Sequence, residues 1–444
     1  MPTKMLIDIL KGIVGKGNVL TDPSDLAVYS MDASPFRGQP GAVVFPQDIR
    51  EAAEVLKEAG ENRVAVVPRG AGTGLYGGAV PIKDGSIMMV SARMNHILEL
   101  DLSSMTVFAE SGVIIGTLNE FLSDHNLFFP IEPETDSVST LGGCVARDAM
   151  GLRSHRYGST RQWISFLEVA TSTGEVLKVG DLTWKRPSGY SLIDLFVGSE
   201  GTLGFFGKIG VRVKRQARAR KVLIATFPDH VSAAKAAHDI PLTGLSPSAL
   251  EYMDSLTVKA VGEHLPDYCL TCHLLLTEFE GFTQAEGSSQ SKRAALIVEN
   301  HGGKAMISEE GPKTWNARKA CLPALKTLSP VVIPFEMTLP LGKMIEALEA
   351  IFEIREQMDI QLAVFGHIGY GVLFPTVLFD SPDGGEVEKV IRRLLDMVID
   401  LGGSLSGDLK RTRFIGKQRE RHIELTKRLK KLFDPKDIMN PGKI

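Results

Sequence analysis

The stretch "RVAVVPRGAGTGLYGGAVPIKDGSIMMV", residues 63 to 90, limits the fold more than any other part of the chain. It reads as a strand, a glycine-rich loop and a second strand. Within it, "GTGLYG" (residues 72 to 77) is a literal G-x-G-x-x-G, the fingerprint of a dinucleotide-binding βαβ unit. That unit needs a helix that opens inside the motif, so that its N-terminus meets the pyrophosphate. Here Gly78, Ala79, Val80 and Pro81 follow, then "KDG" and the strand "SIMMV". Glu99 and Asp101 stand where a ribose-binding acid would be sought, but without the helix they carry no weight. A phosphate loop of the Walker type also fails, because no Gly-Lys-Ser/Thr follows. What survives is a loop in which Gly70, Gly72, Gly74, Gly77 and Gly78 let successive N–H groups turn inward as an anion nest. Arg69 and Thr73 can add charge and a hydroxyl. From this segment alone, a glycine hairpin that binds nothing stays open as the alternative.

The remaining composition narrows the class. A chain of 444 residues makes two or three domains at roughly 150 residues each. Hydrophobic residues at 43% and charged ones at 23% suit a soluble protein with a full core. A net charge of -3 argues against a nucleic-acid binder. No apolar run approaches the ~20 residues that span a bilayer. The first residues, Met1 to Lys11, lack the apolar core and cleavage site of an export signal. The expectation is a cytoplasmic protein. Cys144, Cys269, Cys272 and Cys321 are too few for a disulfide framework or a resident iron–sulfur cluster. "CLTCH" has the spacing of a haem attachment site, but it runs on into "LLLTEFEG" and reads as a buried strand with buried thiols.

Two textures divide the chain. To about Val213, short β-rich runs alternate with glycine turns and two modest helices. One helix opens at Asp48, with Glu51 completing a capping box, and closes near Gly60; Thr117 and Glu120 repeat that relation, with Ile115 beside the cap. From Lys221, longer helices alternate with the strands "KVLIATF", "CHLLLTEF", "VVIPFEMTL" and "QLAVFGHIG". "EVEKVIRRLLDMVIDLG" places Val387, Val390, Ile391, Leu394, Leu395 and Val398 on one helical face, and "KMIEALEAIFEI" behaves similarly. From Gly416 comes a basic helix, with Leu425, Leu429 and Leu432 as its expected buried side, and then "DPKDIMNPGKI". The basic runs "VKRQARARK" and "KRLKK" are solvated faces or docking surfaces for an acidic electron-transfer partner or anionic lipid.

The blocks "RGAGTGLYGG", "PETDSVSTLGGCVARDAMGLRSHRYGSTRQW", "SGYSLIDLFVGSEGTLG" and the terminal "MNPGK" occur in an order and spacing that identify a resemblance. The chain resembles the FAD-linked oxidases of the vanillyl-alcohol oxidase and p-cresol methylhydroxylase type, closest to the glycolate oxidase D subunit and D-lactate dehydrogenase branch. The resemblance implies an α+β chain: a two-subdomain FAD-binding fold of the p-cresol methylhydroxylase type over residues 1–215. A ferredoxin-like α/β cap domain with an antiparallel sheet would follow over 216–415. A C-terminal helix and tail over 416–444 would return to the FAD domain. It makes Pro68, Arg69, Gly70, Ala71, Gly72, Thr73, Gly74 and Leu75 the pyrophosphate loop. Pro133, Thr140, Gly142 and Gly143 would continue the site, and Gly151, Ser154, Tyr157 and Gly158 would lie along the ribityl and isoalloxazine portion. Glu200, Gly201, Thr202, Gly204 and Ile209 would complete it, with Glu200 accepting from a ribose hydroxyl. Some relatives attach FAD through a histidine in the pyrophosphate loop. This loop has Leu75 and Tyr76, which implies a non-covalent flavin, with His155 as the one histidine near the ring.

The implied activity is oxidation of a small 2-hydroxy acid, of the D-lactate or glycolate type, by hydride transfer to flavin N5. Electrons would leave to a separate iron–sulfur, flavoprotein or quinone-linked partner, in a homo- or hetero-oligomer with at most peripheral contact to the inner face of the membrane. Relatives carry "GHxGDGNLH" and a later "EHG", which together hold a divalent metal such as zinc beside the flavin. Here "GHIGYGVLFP" keeps His367 but has Tyr370, Val372 and Phe374 at the next positions, and "SGDLK" offers Asp408 and Leu409. His367 and Asp408 are the remaining metal-ligand candidates, short of the three protein ligands that a catalytic zinc usually takes. The catalytic candidates are His367 as base, Arg318 in "WNARKA" as the arginine that holds the substrate carboxylate, and Tyr370 as a phenol donor. The alternatives are a hydrogen-bonded core histidine, a surface ion pair and a packing tyrosine. A competing function is an FAD-carrying relay or structural subunit with a degraded substrate site.

Overall fold

A computed structural model describes residues 2–185, 189–265, 272–308, 311–381, 384–406 and 417–444. The chain forms two compact units. The first comprises residues 1–150, 159–216 and 407–444, and the second residues 151–158 and 217–406.

In the first unit, strands Pro40–Val44, Ser86–Val90 and Val66–Arg69 pair in parallel, with Val19–Leu20 antiparallel at one edge. Both glycine-loop strands therefore lie side by side, as "RVAVVP" and "SIMMV" suggested. A second, antiparallel sheet runs Ile97–Asp101, Thr106–Glu110, Phe205–Arg212, Ile164–Ala170, Val176–Gly180. The helix Ile49–Glu61 is capped by Asp48, whose carboxylate accepts from the amides of Arg50 and Glu51, while Glu51 accepts from Gln47 N. It buries Ala52, Val55, Leu56 and Ala59 against helix Lys4–Val14 and the parallel sheet. The next helix corrects the sequence reading. It spans Ile115–Ser123 with Ile114 as its N-cap, so Thr117 lies inside it. Its first amides are satisfied from outside: Ile115 N donates to Ser139 O and Gly116 N to Asp136 O, both at 2.9 Å. Backbone carbonyls from a distant turn replace the side-chain cap.

The C-terminal helix, Lys417–Phe433, holds a second correction. Leu425 and Leu432 are 56% and 73% exposed, while Lys430 is only 7% exposed. The Lys430 ammonium donates to Thr202 O (3.1 Å), Met439 O (2.8 Å) and Asp434 Oδ2 (2.5 Å), so its burial is matched by three acceptors. The tail then runs beside Val66: Val66 N donates to Ile438 O and Asn440 N to Val66 O, each at 2.7 Å.

The second unit is built on one antiparallel sheet whose order shows two βαββαβ halves. The first half has strands Ala219–Phe227, Ala249–Met253, His273–Gly281 and Lys304–Ser308, with helices His230–Leu242 and Gln284–Asn300. Across the sheet its strands lie fourth, first, third, second, which is the ferredoxin-like order. The second half uses Glu336–Thr338, Gln361–Gly366, Val372–Phe379 and Ser404–Ser406, with helices Met344–Met358 and Gly384–Asp400, and lies second, third, first, fourth; Val331–Pro334 pairs beside it. The halves meet through their second strands, with Tyr252 opposite Gly366 and Met253 opposite Phe365. Strand residues of one parity, such as Leu223, Ala225, Leu250, Tyr252, Leu362 and Val364, join Val390, Leu394 and Val398 of the last helix in one apolar core. The other parity, including Glu251, Glu278 and Phe365, faces the opposite side.

Candidate functional site

In the first unit, blocks far apart in sequence converge on the glycine loop. Gly70 packs so closely on Thr140 that an added Cβ would lie 2.1 Å from its Oγ1. Gly72 has φ +74°, where a side chain would strain the backbone and strike Arg69. Thr73 Oγ1 lies 3.2 Å from Ser139 Oγ, which is 2.8 Å from Thr135 Oγ1. Thr140 caps the helix Leu141–Arg147 by accepting from Gly143 N, and Gly142 is seated against Ser111. A Cβ on Gly201 would meet Pro68 at 3.0 Å. Arg69 acts differently from a free phosphate-binding cation. Its Nη1 donates to Met31 O (2.7 Å) and Ala79 O (3.4 Å), and burial lowers its pKa against the favourable field of Asp32. Asp32 in turn accepts from Ala79 N and Ser34 N, so this pair staples both ends of the loop to residues 31–34.

Glu200 adopts φ +50° and its Oε1 is 3.4 Å from Arg147 Nη1. Thr202 donates its hydroxyl to Ser199 O. Gly204 is wedged against Val169, and Ile209 is a fully buried core position of the central strand Phe205–Arg212. Pro133 is buried and accepts from Asp136 N at 3.0 Å. Ala71 is exposed, while Gly74 and Leu75 are half-buried. Three buried side-chain oxygens in these blocks, Ser111 Oγ, Ser199 Oγ and Asn440 Oδ1, have no hydrogen-bond partner among the described residues. A polar ligand fits such a lining, because a buried acceptor or hydroxyl left unpaired costs about 1–3 kcal/mol.

The four remaining cofactor candidates, Gly151, Ser154, Tyr157 and Gly158, belong to the second unit. Ser154 Oγ accepts from Gly151 N, and Gly158 N donates to Ser154 O. Tyr157 donates to Glu280 Oε2 at 2.5 Å; burial and that carboxylate raise its pKa. Arg153 donates to Glu278 at 2.7 Å, and Ser248 and Trp315 complete that carboxylate's shell. Although burial opposes it, the charges of Arg153 and Arg220 and these hydrogen bonds hold the Glu278 pKa below its usual value. His155 Nδ1 is 2.6 Å from Gly369 O.

The same unit assembles two of the three catalytic candidates around a residue the sequence reading passed over. Glu251, 1% exposed, accepts from Arg318 Nε at 2.8 Å and faces His367 Nδ1 at 2.8 and 2.9 Å. Arg318 and His367 are 0% and 2% exposed, so the surface-ion-pair alternative for Arg318 is overturned. The Arg318 guanidinium also sits over the Phe365 ring, 5.0 Å from its centroid. The register explains the contact: Tyr252 pairs with Gly366, which makes Glu251 and His367 cross-strand neighbours. An acid inside the apolar run "SALEYM" was the available signal. Tyr370 is half-buried in the turn after His367, to whose carbonyl its amide donates.

Asp408 and Leu409 lie outside the described residues, as does Cys269. Among the described residues no group of three or more His, Cys, Asp or Glu is arranged to hold a metal ion. Phe374 stacks on Phe365, with His367 at its edge. One imidazole beside a carboxylate engaged by arginine is a poor divalent-ion site, and no step below uses one. Among the described residues no helix is long and apolar enough to cross a membrane.

Comparison with known proteins accounts for both units. Residues 40–180 match a FAD binding domain, and residues 216–444 match the C-terminal domain of FAD linked oxidases. The chain is 32% identical to the glycolate oxidase subunit GlcD of Bacillus subtilis (strain 168), over 100% of this chain and 97% of that protein. It is 31% identical to a D-lactate dehydrogenase of Archaeoglobus fulgidus, over 95% and 96%. Among solved structures, p-cresol methylhydroxylase with substrate bound matches at a TM-score of 0.82 and 16% identity, over 99% of this chain and 96% of that one, a likeness of fold. With the glycine-loop unit, the ferredoxin-like sheet and full-length relatives in agreement, the chain belongs to the FAD-linked oxidases and is an FAD-dependent oxidoreductase.

Proposed function

We propose that the chain oxidises a small 2-hydroxy acid of the D-lactate or glycolate type and passes the electrons to a separate iron–sulfur, flavoprotein or quinone-linked partner. The buried Glu251–Arg318–His367 cluster carries this reading, in a chain whose full-length relatives include proteins named for glycolate and D-lactate. FAD, when bound, supplies the acceptor of the substrate's hydride.

The protein's own part is to hold the acid and move its hydroxyl proton. A guanidinium recognises a carboxylate through a planar fork, and Arg318 is kept in one orientation by the Nε bond to Glu251. An ionised Glu251 can only accept, so His367 Nδ1 bears a proton and Nε2 holds the lone pair of the neutral ring. His367 is thus the base that removes the hydroxyl proton as the C–H bond is broken. Tyr370, three residues after His367, is the donor to a substrate oxygen in this reading. The glycine loop (Pro68 to Leu75), Pro133, Thr140, Gly142, Gly143 and the turn Glu200–Gly204 hold the dinucleotide without a covalent bond. Ser111, Ser199 and Asn440 lie in the same blocks with oxygens to offer. A histidine-free loop supports non-covalent binding.

The apolar replacements Val372 and Phe374 favour a second reading, an FAD-carrying relay subunit of a larger complex. Anaerobic absorbance of the FAD-loaded protein separates the two. Bleaching of the flavin by one acid in a panel of 2-hydroxy acids supports the dehydrogenase. A flavin reduced by dithionite but by no acid, with or without zinc or manganese, sinks it in favour of the relay.

A further inference from the structure

Asn440, in the terminal "MNPGK", is 1% exposed and lies between two of the converging blocks. Its Nδ2 donates to Gly78 O, at the end of the glycine loop, and to Glu200 O, both at 2.8 Å. Two carbonyl partners fix which end of the carboxamide is nitrogen, since an oxygen there would face two acceptors. Oδ1 is therefore the outer atom, and it has no hydrogen-bond partner among the described residues although it is fully buried. The surroundings are braced to keep it there. Lys443 donates to Gly77 O, Asn440 N to Val66 O, and Lys430 grips Thr202 O and Met439 O. Glu200 itself has a left-handed backbone, φ +50°, a strained state that persists only where its surroundings over-determine it.

We propose that Asn440 is a cofactor-contacting residue: its Nδ2 joins the loop end at Gly78 to the Glu200 turn, and its Oδ1 accepts a hydroxyl from the adenosine ribose of bound FAD. The ribose is the ligand portion that matches a buried neutral acceptor beside Glu200. A phosphate would repel that oxygen; among the donors FAD carries (ribose hydroxyls, ribityl hydroxyls and the adenine amino group), the ribose is the one the Glu200 block is expected to meet. The inference rests on FAD binding and adds the C-terminal tail to the site. It makes tail seating and FAD loading one linked equilibrium, so each strengthens the other by the same factor.

The test uses full-length apoprotein titrated with FAD and with FAD analogues lacking the 2′- or the 3′-hydroxyl of the adenosine ribose, following flavin fluorescence. Amide exchange of residues 434–444 is measured with and without FAD. In the wild type, one deoxy analogue should bind about tenfold more weakly, the equivalent of one buried hydrogen bond. In Asn440→Ala, FAD itself should weaken by at least that factor and the deoxy penalty should vanish. FAD should slow exchange in the wild-type tail. Lys443→Met, which loses the tie to Gly77 but leaves the Asn440 side chain intact, should speed exchange yet keep the deoxy penalty, so a loosened tail and a lost contact are told apart. A deoxy penalty of the same size in Asn440→Ala, or FAD affinity within twofold of wild type, overturns the assignment. The melting temperature of each apoprotein checks folding. A wild type that takes up no FAD would instead count against the family reading.

Discussion

Glu251→Gln is the most informative single change, because it keeps shape and removes charge at the centre of the buried cluster. The carboxylate serves two cations or donors at once, Arg318 Nε at 2.8 Å and His367 Nδ1 at 2.8–2.9 Å, with all three residues at most 2% exposed. Taking the charge from one side of a buried pair costs about 3–5 kcal/mol, since the partner stays behind. At about 2–4 °C per kcal/mol for a unit of this size, the melting temperature should fall by roughly 6–20 °C. The chemical effect is separate. A glutamine satisfies Arg318 Nε with its oxygen and then presents its NH2 to His367 Nδ1. That makes Nδ1 the acceptor and puts the ring proton on Nε2, the nitrogen meant to receive the substrate's proton. Losing a positioned base costs about 10²–10⁴-fold. The assay is anaerobic stopped-flow reduction of the flavin by the acid that bleaches the wild type, run below the variant's melting temperature. A variant that melts as expected but is reduced within threefold of the wild-type rate would leave Glu251 as a brace alone and refute the tautomer argument. A melting temperature within 2 °C of wild type would refute the electrostatic one.

Three further outcomes follow from the geometry. Burial pushes the Asp254 carboxyl up to about 6, so it contributes stability below about pH 4 that is lost as pH rises through 6; burial pulls His273 down to about 4, so its contribution holds above about pH 6.5 and is lost as pH falls through 4. The two slopes oppose each other, and Asp254→Asn, which can still cap its helix, should make stability fall more steeply from pH 6 to 4, by about 2 kcal/mol over that window; parallel urea-unfolding curves for variant and wild type would contradict this. Gly70→Ala puts a methyl 2.1 Å from Thr140 Oγ1, at an overpacking cost of about 1–3 kcal/mol, and should lower the flavin-to-protein absorbance ratio of the purified protein; full flavin retention would show that the loop and Thr140 need no such contact. Acid precipitation should leave the flavin in the supernatant and the pellet colourless, whereas a yellow pellet would mean covalent attachment, with His155 the first residue to examine.

What could be read from the sequence was whatever is encoded locally. The 3.6-residue period of the segment at 384–400 predicted a helix with Val390, Leu394 and Val398 inside, and they are buried. The Asp48 cap was visible because donor and acceptor lie within three residues. The glycine loop was legible as a strand–loop–strand because Pro81 and "KDG" leave no room for a helix. The failures are nonlocal. The helix at Ile115 starts where it does because carbonyls of Asp136 and Ser139 reach it from a turn twenty-odd residues on, which no cap rule scans for. Lys430 looked like part of a solvated basic run, yet it is buried because Thr202 O, Met439 O and Asp434 happen to meet there. Leucine spacing then chose the wrong face of that helix. The doubled ferredoxin-like half left no repeat in the sequence, since what recurs is the order of strands and helices, whose apolar positions any hydrophobic residue can fill.

That doubling also bears on how the second unit's polar cluster is kept together. Glu251 stands on the seam strand of the first half, and His367 follows the seam strand of the second. Arg318 comes from the helix Gly311–Lys319, in the segment that joins the halves. The seam has only a short paired register, Tyr252 with Gly366 and Met253 with Phe365, supplemented by Asp254 N donating to Val364 O at 2.8 Å. So few backbone bonds hold two half-sheets weakly, and the buried Glu251 carboxylate supplies a bolt from three separate parts of the chain. A bolt of this kind favours one register: a one-residue slip would send Glu251 to the apolar helix side and leave Arg318 and His367 buried without their anion. The same charge arrangement therefore fixes the pairing of the halves and the tautomer of His367. This is why a variant of Glu251 must be read by stability and by flavin reduction together.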